Sequence, residues 1–340
     1  MNIILNYGLF LIKTLTILIS IILSIFVINN IAKRKNKNNS NFQITILNKQ
    51  YNNIKNSIIL STMQSHEKKI WKKINNKKQK TDFINLKNKK PNLYVLDFKG
   101  TIQANEGDYL REEISAILSV AKKNDEVLLR LESAGGVVHG YGFCAYQLYR
   151  LRKKSIYLTI SVDKIAASGG YMMASVANFI IATPFAIIGS IGVVAQMPNV
   201  NKFLKKHNID IELHTAGDYK RTLTMFGKNT EEKRKKFCED LNITHNLFKK
   251  FIYKMRPCLD IDDISTGEHW FGSLALDKKL IDNINTSDDF LMSKRKKFIL
   301  IQIKFVPKKN IINHFINNCL NKIFCMILTA INKKTFVNIK

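Results

Sequence analysis

Between Leu93 and Val162 the hydrophobic period of the chain switches repeatedly, and this alternation is the feature that most narrows what it can fold into. Leu93 to Phe98 is a short, largely apolar run of strand length, and Tyr109 to Ala121 repeats its apolar residues at helical spacing. Val127 to Leu131 reads as a strand, Tyr141 to Arg152 as a helix, and Ile156 to Val162 as a strand leading into Ser168. Strands and helices taken in turn predict a mostly parallel sheet covered by helices, the α/β class. A further strand is expected at Ile211 to Thr215. The lysine run ending at Lys90 and the proline at Pro91 mark the start of this domain, expected over 91–295.

Three other segments are apolar enough to need a partner. Leu9 to Ile28 is almost wholly apolar apart from Lys13 and hydroxyl side chains, about the length a bilayer core requires, so residues 1–31 are expected to form a transmembrane anchor. Lys13 lies near one end, where its stem can snorkel to the headgroups. A cleaved signal peptide fits less well, because the positive cluster Lys33, Arg34, Lys35 and Lys37 follows the apolar run and no small-residue cleavage site precedes it. The positive-inside rule then places the chain that follows this single pass in the cytoplasm, with Lys13 competing. Residues 32–90 read as a basic helical stalk or linker. Ala177 to Met197 is also apolar, yet Pro184, Gly189 and Gly192 interrupt it, which fits buried core and not a second span. Within 296–340 a strand is followed by an amphipathic helix with Ile311, Phe315, Leu320, Phe324 and Leu328 on one stripe; packing on protein and lying at the membrane interface are both open.

Lys and Arg total 54 against 26 Asp and Glu, a formal charge of +28, which raises nucleic acid and anionic lipid as partners. The basic residues are spread through Asn and Ile without a zinc pattern or an aromatic-basic RNA motif, so no specific nucleic-acid partner is expected and compositional drift explains the charge. Cys144, Cys238, Cys258, Cys319 and Cys325 have no paired spacing, so they read as free thiols, with no metal and no cofactor implied.

Four loops carry the residue types of acyl-transfer chemistry. Ala166-Ala167-Ser168-Gly169-Gly170-Tyr171 puts a serine between a strand and a helix-like run, where backbone N–H groups and the helix dipole favour an oxyanion. A simple N-cap is the alternative. Ser133-Ala134-Gly135-Gly136 follows a strand and lets the backbone approach a ligand closely. Gly189-Ser190-Ile191-Gly192 sets a hydroxyl among glycines, and Gly217-Asp218-Tyr219-Lys220 supplies an amine. Each is also readable as a turn. All four follow successive strands of one α/β domain, where ligands tend to bind.

The order and spacing of these loops resemble the signal peptide peptidase A family of membrane-bound serine peptidases. The resemblance covers nearly the whole chain and includes Tyr7-Gly8-Leu9-Phe10-Leu11, Leu96-Asp97-Phe98-Lys99-Gly100, Val138-His139-Gly140-Tyr141-Gly142 and Thr266-Gly267-Glu268-His269-Trp270. It implies a ClpP/crotonase-like fold, a Ser/Lys dyad, and a ring-like homo-oligomer whose subunits help complete the site. Carried over by position, it implies Ser168 as nucleophile, Lys220 as general base, Ser190 as the hydroxyl positioning the amine, and Gly136 and Gly169 as oxyanion N–H donors. Two positions depart from the family's habit: Ala134 stands where proline is usual, and Lys279 where glycine is usual.

A lysine ammonium of ordinary pKa, about 10.4, cannot take a serine proton at neutral pH. Lowering a lysine to roughly 7 to 8 costs on the order of 3 to 5 kcal/mol, and burial against apolar walls is the expected source, with Ile191 to Met197 as the wall. Arg221 would help, and Asp218 is expected to point outward. His139, His214 and His269 compete as bases, but none sits in a loop of the right form, and the serine lacks the G-x-S-x-G pattern. The expected activity is therefore endopeptidase cleavage of membrane-associated peptides or proteins through an acyl-enzyme. A catalytically silent membrane scaffold and a crotonase-like acyl-transfer enzyme are the alternatives.

Overall fold

The structure is a computed structural model that describes residues 8, 10–20, 22, 41–71 and 90–307. Residues 10–20 are helical, and among the described residues no helix is long and apolar enough to cross a membrane. Part of the expected span Leu9 to Ile28, the residues 72–89 and the expected C-terminal amphipathic helix lie outside the described residues. The chain divides into one compact unit, Ile44–Phe305, and a second unit formed by its two ends.

The compact unit is built on a seven-stranded sheet. In chain order the strands are β1 (Phe42–Ile46), β2 (Asn92–Lys99), β3 (Glu126–Glu132), β4 (Tyr157–Val162), β6 (Phe179–Ala182), β9 (Asn283–Ile284) and β10 (Ile299–Phe305), and in space they run β1-β10-β2-β3-β4-β6-β9. From β10 across to β9 every pairing is parallel, with Leu96 opposite Leu129, Leu129 opposite Ile160 and Ile160 opposite Ile180. The near-continuous burial of β2, β3 and β4 follows from that arrangement, because a parallel sheet is covered on both faces.

On one face lie α2 (Gly107–Val120), which buries Leu110, Ile114 and Ile117 at successive helical turns, and α3 (Val138–Lys153), which buries Tyr141, Ala145, Leu148 and Leu151. The other face is closed by α1 (Leu47–Thr62) and α9 (Ser287–Lys294). Their Leu47, Phe290 and Leu291 join Leu93, Val95, Leu128 and Leu300 of the strands in one core cluster. Truncating a fully buried leucine in such a cluster costs about 2–5 kcal/mol. Asn48 fixes the start of α1 by donating to the carbonyls of Arg295 and Phe298, each at 3.2 Å, and accepting from Leu300 N–H at 2.7 Å. This part of the segment read as a stalk therefore packs on the sheet.

A second, three-stranded sheet is formed by β5 (Ile165–Ala167), β7 (Ile187–Gly189) and β8 (His269–Phe271) in the order β5-β7-β8. The apolar stretch Ala177 to Met197 thus supplies β6 and β7 to the core. One expected element does not form. Ile211 to Thr215 has no regular structure, and its side chains are exposed. Extended backbone without a neighbouring strand leaves its N–H and C=O groups to water, and alternating apolar residues alone do not supply that neighbour. Further helices are α4 (Gly169–Ala174), α5 (Asn201–Lys206), α6 (Glu231–Met255), α7 (Ile261–Ile264) and α8 (Gly272–Asp277).

Candidate active site

The site begins where β5 ends. Ser133 pairs with Ala166 through a parallel bridge, with Ser133 N–H donating to Ile165 and Ala167 N–H donating to Ser133, so the loop after β3 and the end of β5 are held together. Ser168 then turns the chain directly into α4 at φ 53° and ψ −119°. That conformation lies outside the regions open to an ordinary L-residue and costs about 1–3 kcal/mol. Three contacts hold it. Ser168 N–H donates to Gly189 O at 2.8 Å, Ser168 O accepts from Met172 N–H at 3.0 Å, and the Gly135 Cα lies so close that an added Cβ would meet Ser168 Cβ at 2.8 Å. A strand, a strained serine and a helix in immediate succession form a sharp turn of the kind that can present a nucleophile, although the G-x-S-x-G pattern is missing.

Ser190 stands beside it. The parallel register of β5 and β7 sets Ala167 opposite Gly189, so the next residue of each strand is a serine, and Ser190 also has positive φ, 51°. Ser190 N–H donates to Glu268 O at 2.6 Å, while the ring of Trp270 fills the space a side chain at Gly189 would need. The segment Thr266 to Trp270 is thus the backing of Ser190. A histidine not singled out from the sequence touches this loop: His245 Nε2 lies 3.3 Å from Ile191 O.

The glycines of the Ser133 loop close the other side. Gly135, at φ 89°, donates its N–H to Ser133 Oγ at 3.0 Å. Gly136 is exposed, and its N–H meets no acceptor among the described residues. The Gly169 N–H belongs to the first turn of α4, where backbone donors have no intrahelical acceptor. Ser168, Ser190, Gly135 and Gly169 are therefore brought together, with Gly136 next in the same loop.

Lys220 is not joined to them by any contact among the described residues. It lies exposed in the irregular stretch that follows α5, its own N–H donating to Gly217 O at 3.2 Å. The expected apolar wall is only partly in place: Ile191 is fully buried, whereas Val194 is 90% exposed and Met197 40%. Asp218 and Arg221 are exposed as well. Of the histidines, His139 and His269 are exposed, and His214 pairs at the surface with Glu212 at 3.4 Å.

A cavity of about 570 Å³ opens elsewhere, between Asp97, Glu113, Arg130, Glu132, Lys164 and Lys304, and none of the loop residues above lines it. Its charges largely satisfy one another. Arg130 grips Asp97 through both Nε and Nη2, and Glu132 meets Lys99 and Lys164. Glu113 is nearly buried there and accepts from Phe305 N–H at 2.7 Å; burial pushes its carboxyl up to about 7.

Comparison with known proteins matches residues 2–148 to the family model described as "Peptidase family S49 N-terminal" and residues 150–299 to that described as "Peptidase family S49". A "Probable protease SohB" of Buchnera aphidicola subsp. Schizaphis graminum is 58% identical, over 98% of this chain and 99% of that one. A "Probable protease SohB" of Haemophilus influenzae is 47% identical over 92% of each. Among solved structures, a 1510-N membrane-bound stomatin-specific protease mutant in complex with a substrate peptide is 18% identical, covering 60% of this chain and 80% of that one with a TM-score of 0.40.

Proposed function

The chain belongs to peptidase family S49, and from that premise we propose that it is a membrane-anchored serine endopeptidase in which Ser168 is the nucleophile and Lys220 the general base. The observation that carries the reading is the strained turn at Ser168, at φ 53°, placed by a hydrogen bond to Gly189 beside Ser190. Strain of this kind persists where its surroundings hold it, and it is a mark of functional positions. In the proposed reaction Ser168 Oγ attacks a peptide carbonyl while its proton passes to Lys220 Nζ. The N–H groups of Gly136 and Gly169 hold the oxyanion, and Ser190 Oγ positions the amine. Lys220 then gives the proton to the leaving amine; in the second half the neutral Lys220 amine takes a proton from a water that attacks the acyl carbonyl, and returns it to Ser168 Oγ as the acid leaves.

The stretch that carries Lys220 displays Val194, Phe203, Tyr219 and Phe226 to solvent. So much exposed apolar surface in one stretch is what a subunit interface covers. The proposal is that copies of this chain assemble into a ring-like oligomer of ClpP/crotonase-like subunits, and that the neighbouring copy buries Lys220 against Ser168 and Ser190. Residues Leu9 to Ile28 are proposed as the single-pass inner-membrane anchor, with Lys33 to Lys37 favouring a cytoplasmic domain. Reporter fusions after Lys37 and at the C-terminus check the side, and periplasmic signals from both overturn it.

Cleavage of unfolded or hydrophobic peptides by the wild type and by Lys220→Ala tests the dyad. The expected result is loss of turnover in Lys220→Ala; equal rates remove Lys220 from the mechanism. The exposure of Lys220 in the single chain favours a rival, a silent scaffold, and that rival predicts no cleavage by either protein in any assembly state.

A further inference from the structure

We propose that Tyr141 is a positioning residue that, through Ser133, sets the two oxyanion donors at their working separation, an inference that rests on Ser168 being the nucleophile. Tyr141 lies on α3, outside all four loops, and is fully buried. Its ring is the wall behind Gly169: a Cβ added at Gly169 would collide with the Tyr141 ring and Cβ. Its hydroxyl sits between two partners, donating to Thr101 O at 2.8 Å and lying 2.5 Å from Ser133 Oγ.

The direction of the hydrogen bonds follows from the acceptors. The Thr101 carbonyl can only accept, so the Tyr141 proton points to it and the Ser133 hydroxyl donates to Tyr141 Oη. Ser133 Oγ in turn accepts from Gly135 N–H. One directional chain therefore runs from the Gly135 amide through Ser133 and Tyr141 to Thr101. Both ends are anchored. Thr101 donates through its N–H and its hydroxyl to Glu106, and Ile102 O accepts from Val137 N–H at 2.9 Å while lying against Gly136.

The arrangement fixes two donors from one side chain. With Gly135 N–H committed to Ser133, and Gly135 Cα wedged against Ser168 Cβ and Gly169 N, the peptide ahead of Gly136 has little room to rotate. The ring of the same tyrosine stops Gly169 from moving inward. Oxyanion donors act through preorganisation, so a small shift in their placement can cost about tenfold or more in rate. The Tyr141 hydroxyl has both partners within the protein and no exposure, so it does not meet substrate. Burial also raises its pKa above the usual tyrosine value, which keeps it a proton donor to Thr101 across the working range.

The test measures kcat and KM on a fluorogenic peptide for the full-length wild type, Tyr141→Phe, Ser133→Ala and the double variant, with thermal unfolding of each and labelling by a serine-reactive phosphonate. Phenylalanine keeps the wall behind Gly169 and removes only the hydroxyl. The expected outcome is a fall in kcat of about tenfold in each single variant with KM within about twofold, and no further fall in the double variant, because both changes break one chain. Should Tyr141→Phe fail to fold, Ser133→Ala carries the same prediction. Single variants that keep wild-type kcat, or losses that multiply in the double variant or appear in KM alone, overturn the inference while leaving Ser168 as nucleophile. A wild type whose Ser168 is not labelled overturns the reading of the site, and this inference with it.

Discussion

Ser168 N–H donates to Gly189 O across 2.8 Å, and through this bond the end of β5 is locked to the end of β7, one residue before Ser190. Two non-glycine residues with positive φ thus sit side by side, each supported by a glycine that a larger residue would displace. Gly189 itself is at φ 104°, with the Trp270 ring where a side chain would go.

Gly135→Ala tests that support. The new Cβ would meet Ala167 O and Ser168 Cβ at 2.8 Å and Gly169 N at 2.9 Å, at a backbone φ of 89° that disfavours any side chain. Its neighbours are backbone or the Ser168 Cβ, so the loop must shift. The expected outcome is a loss of peptide cleavage of at least about a hundredfold and destabilisation of about 1–3 kcal/mol, read by steady-state kinetics and denaturant unfolding. Activity near wild type would show that the loop does not shape the site.

Lys279→Gly is expected to stabilise the protein. Lys279 follows α8 at φ 60°, the left-handed position after a helix end, with its N–H donating to Leu276 O at 2.9 Å. A lysine there bears about 1 kcal/mol of left-handed strain that glycine avoids. A rise in Tm of a few degrees is the expected reading, and a fall contradicts it.

Glu113→Gln gives a pH-dependent result. The folded-state carboxyl titrates near 7 against an ordinary 4.5, because burial outweighs the Phe305 N–H bond and nearby Lys304, while Asp97 adds to the rise. The folded state thus holds this proton more tightly than the unfolded state. Its contribution to stability is complete below about pH 4.5 and is lost as pH climbs to about 7, on the order of 3 kcal/mol in all. Glutamine keeps an oxygen for Phe305 N–H and removes the titration. Unfolding free energy measured from pH 4.5 to 8 should decline less steeply in the variant, and parallel curves contradict the assignment.

Val194→Asp tests assembly. Val194 makes so little contact in the single chain that the change should leave the unfolding of one subunit untouched. Sedimentation should show smaller species, with cleavage lost in parallel. An unchanged oligomer with full activity removes this stretch from the interface.

Much of the fold was readable because β2, β3 and β4 are buried on both faces and the helices between them show an unbroken apolar stripe. The glycine-flanked serines, Ser168 and Ser190, follow the paired ends of β5 and β7. What the residues alone did not reveal is the positive φ of Ser168 and Ser190, since nothing in a serine's side chain announces it. Ile211 to Thr215 misled for the opposite reason: its apolar residues alternate as in a strand, but they face solvent in the single chain. The Tyr141 to Ser133 link joins a helix to a loop, and Glu113 lies between Leu110 and Ile114 on a helix whose neighbours bury it. Both depend on packing that no local pattern encodes.

The most direct test of the central claim is peptide mapping by mass spectrometry after phosphonate treatment of the full-length protein. The account predicts a single adduct on Ser168, absent from Ser168→Ala and strongly slowed in Lys220→Ala. An adduct that persists in Ser168→Ala, or forms at full rate in Lys220→Ala, would contradict it.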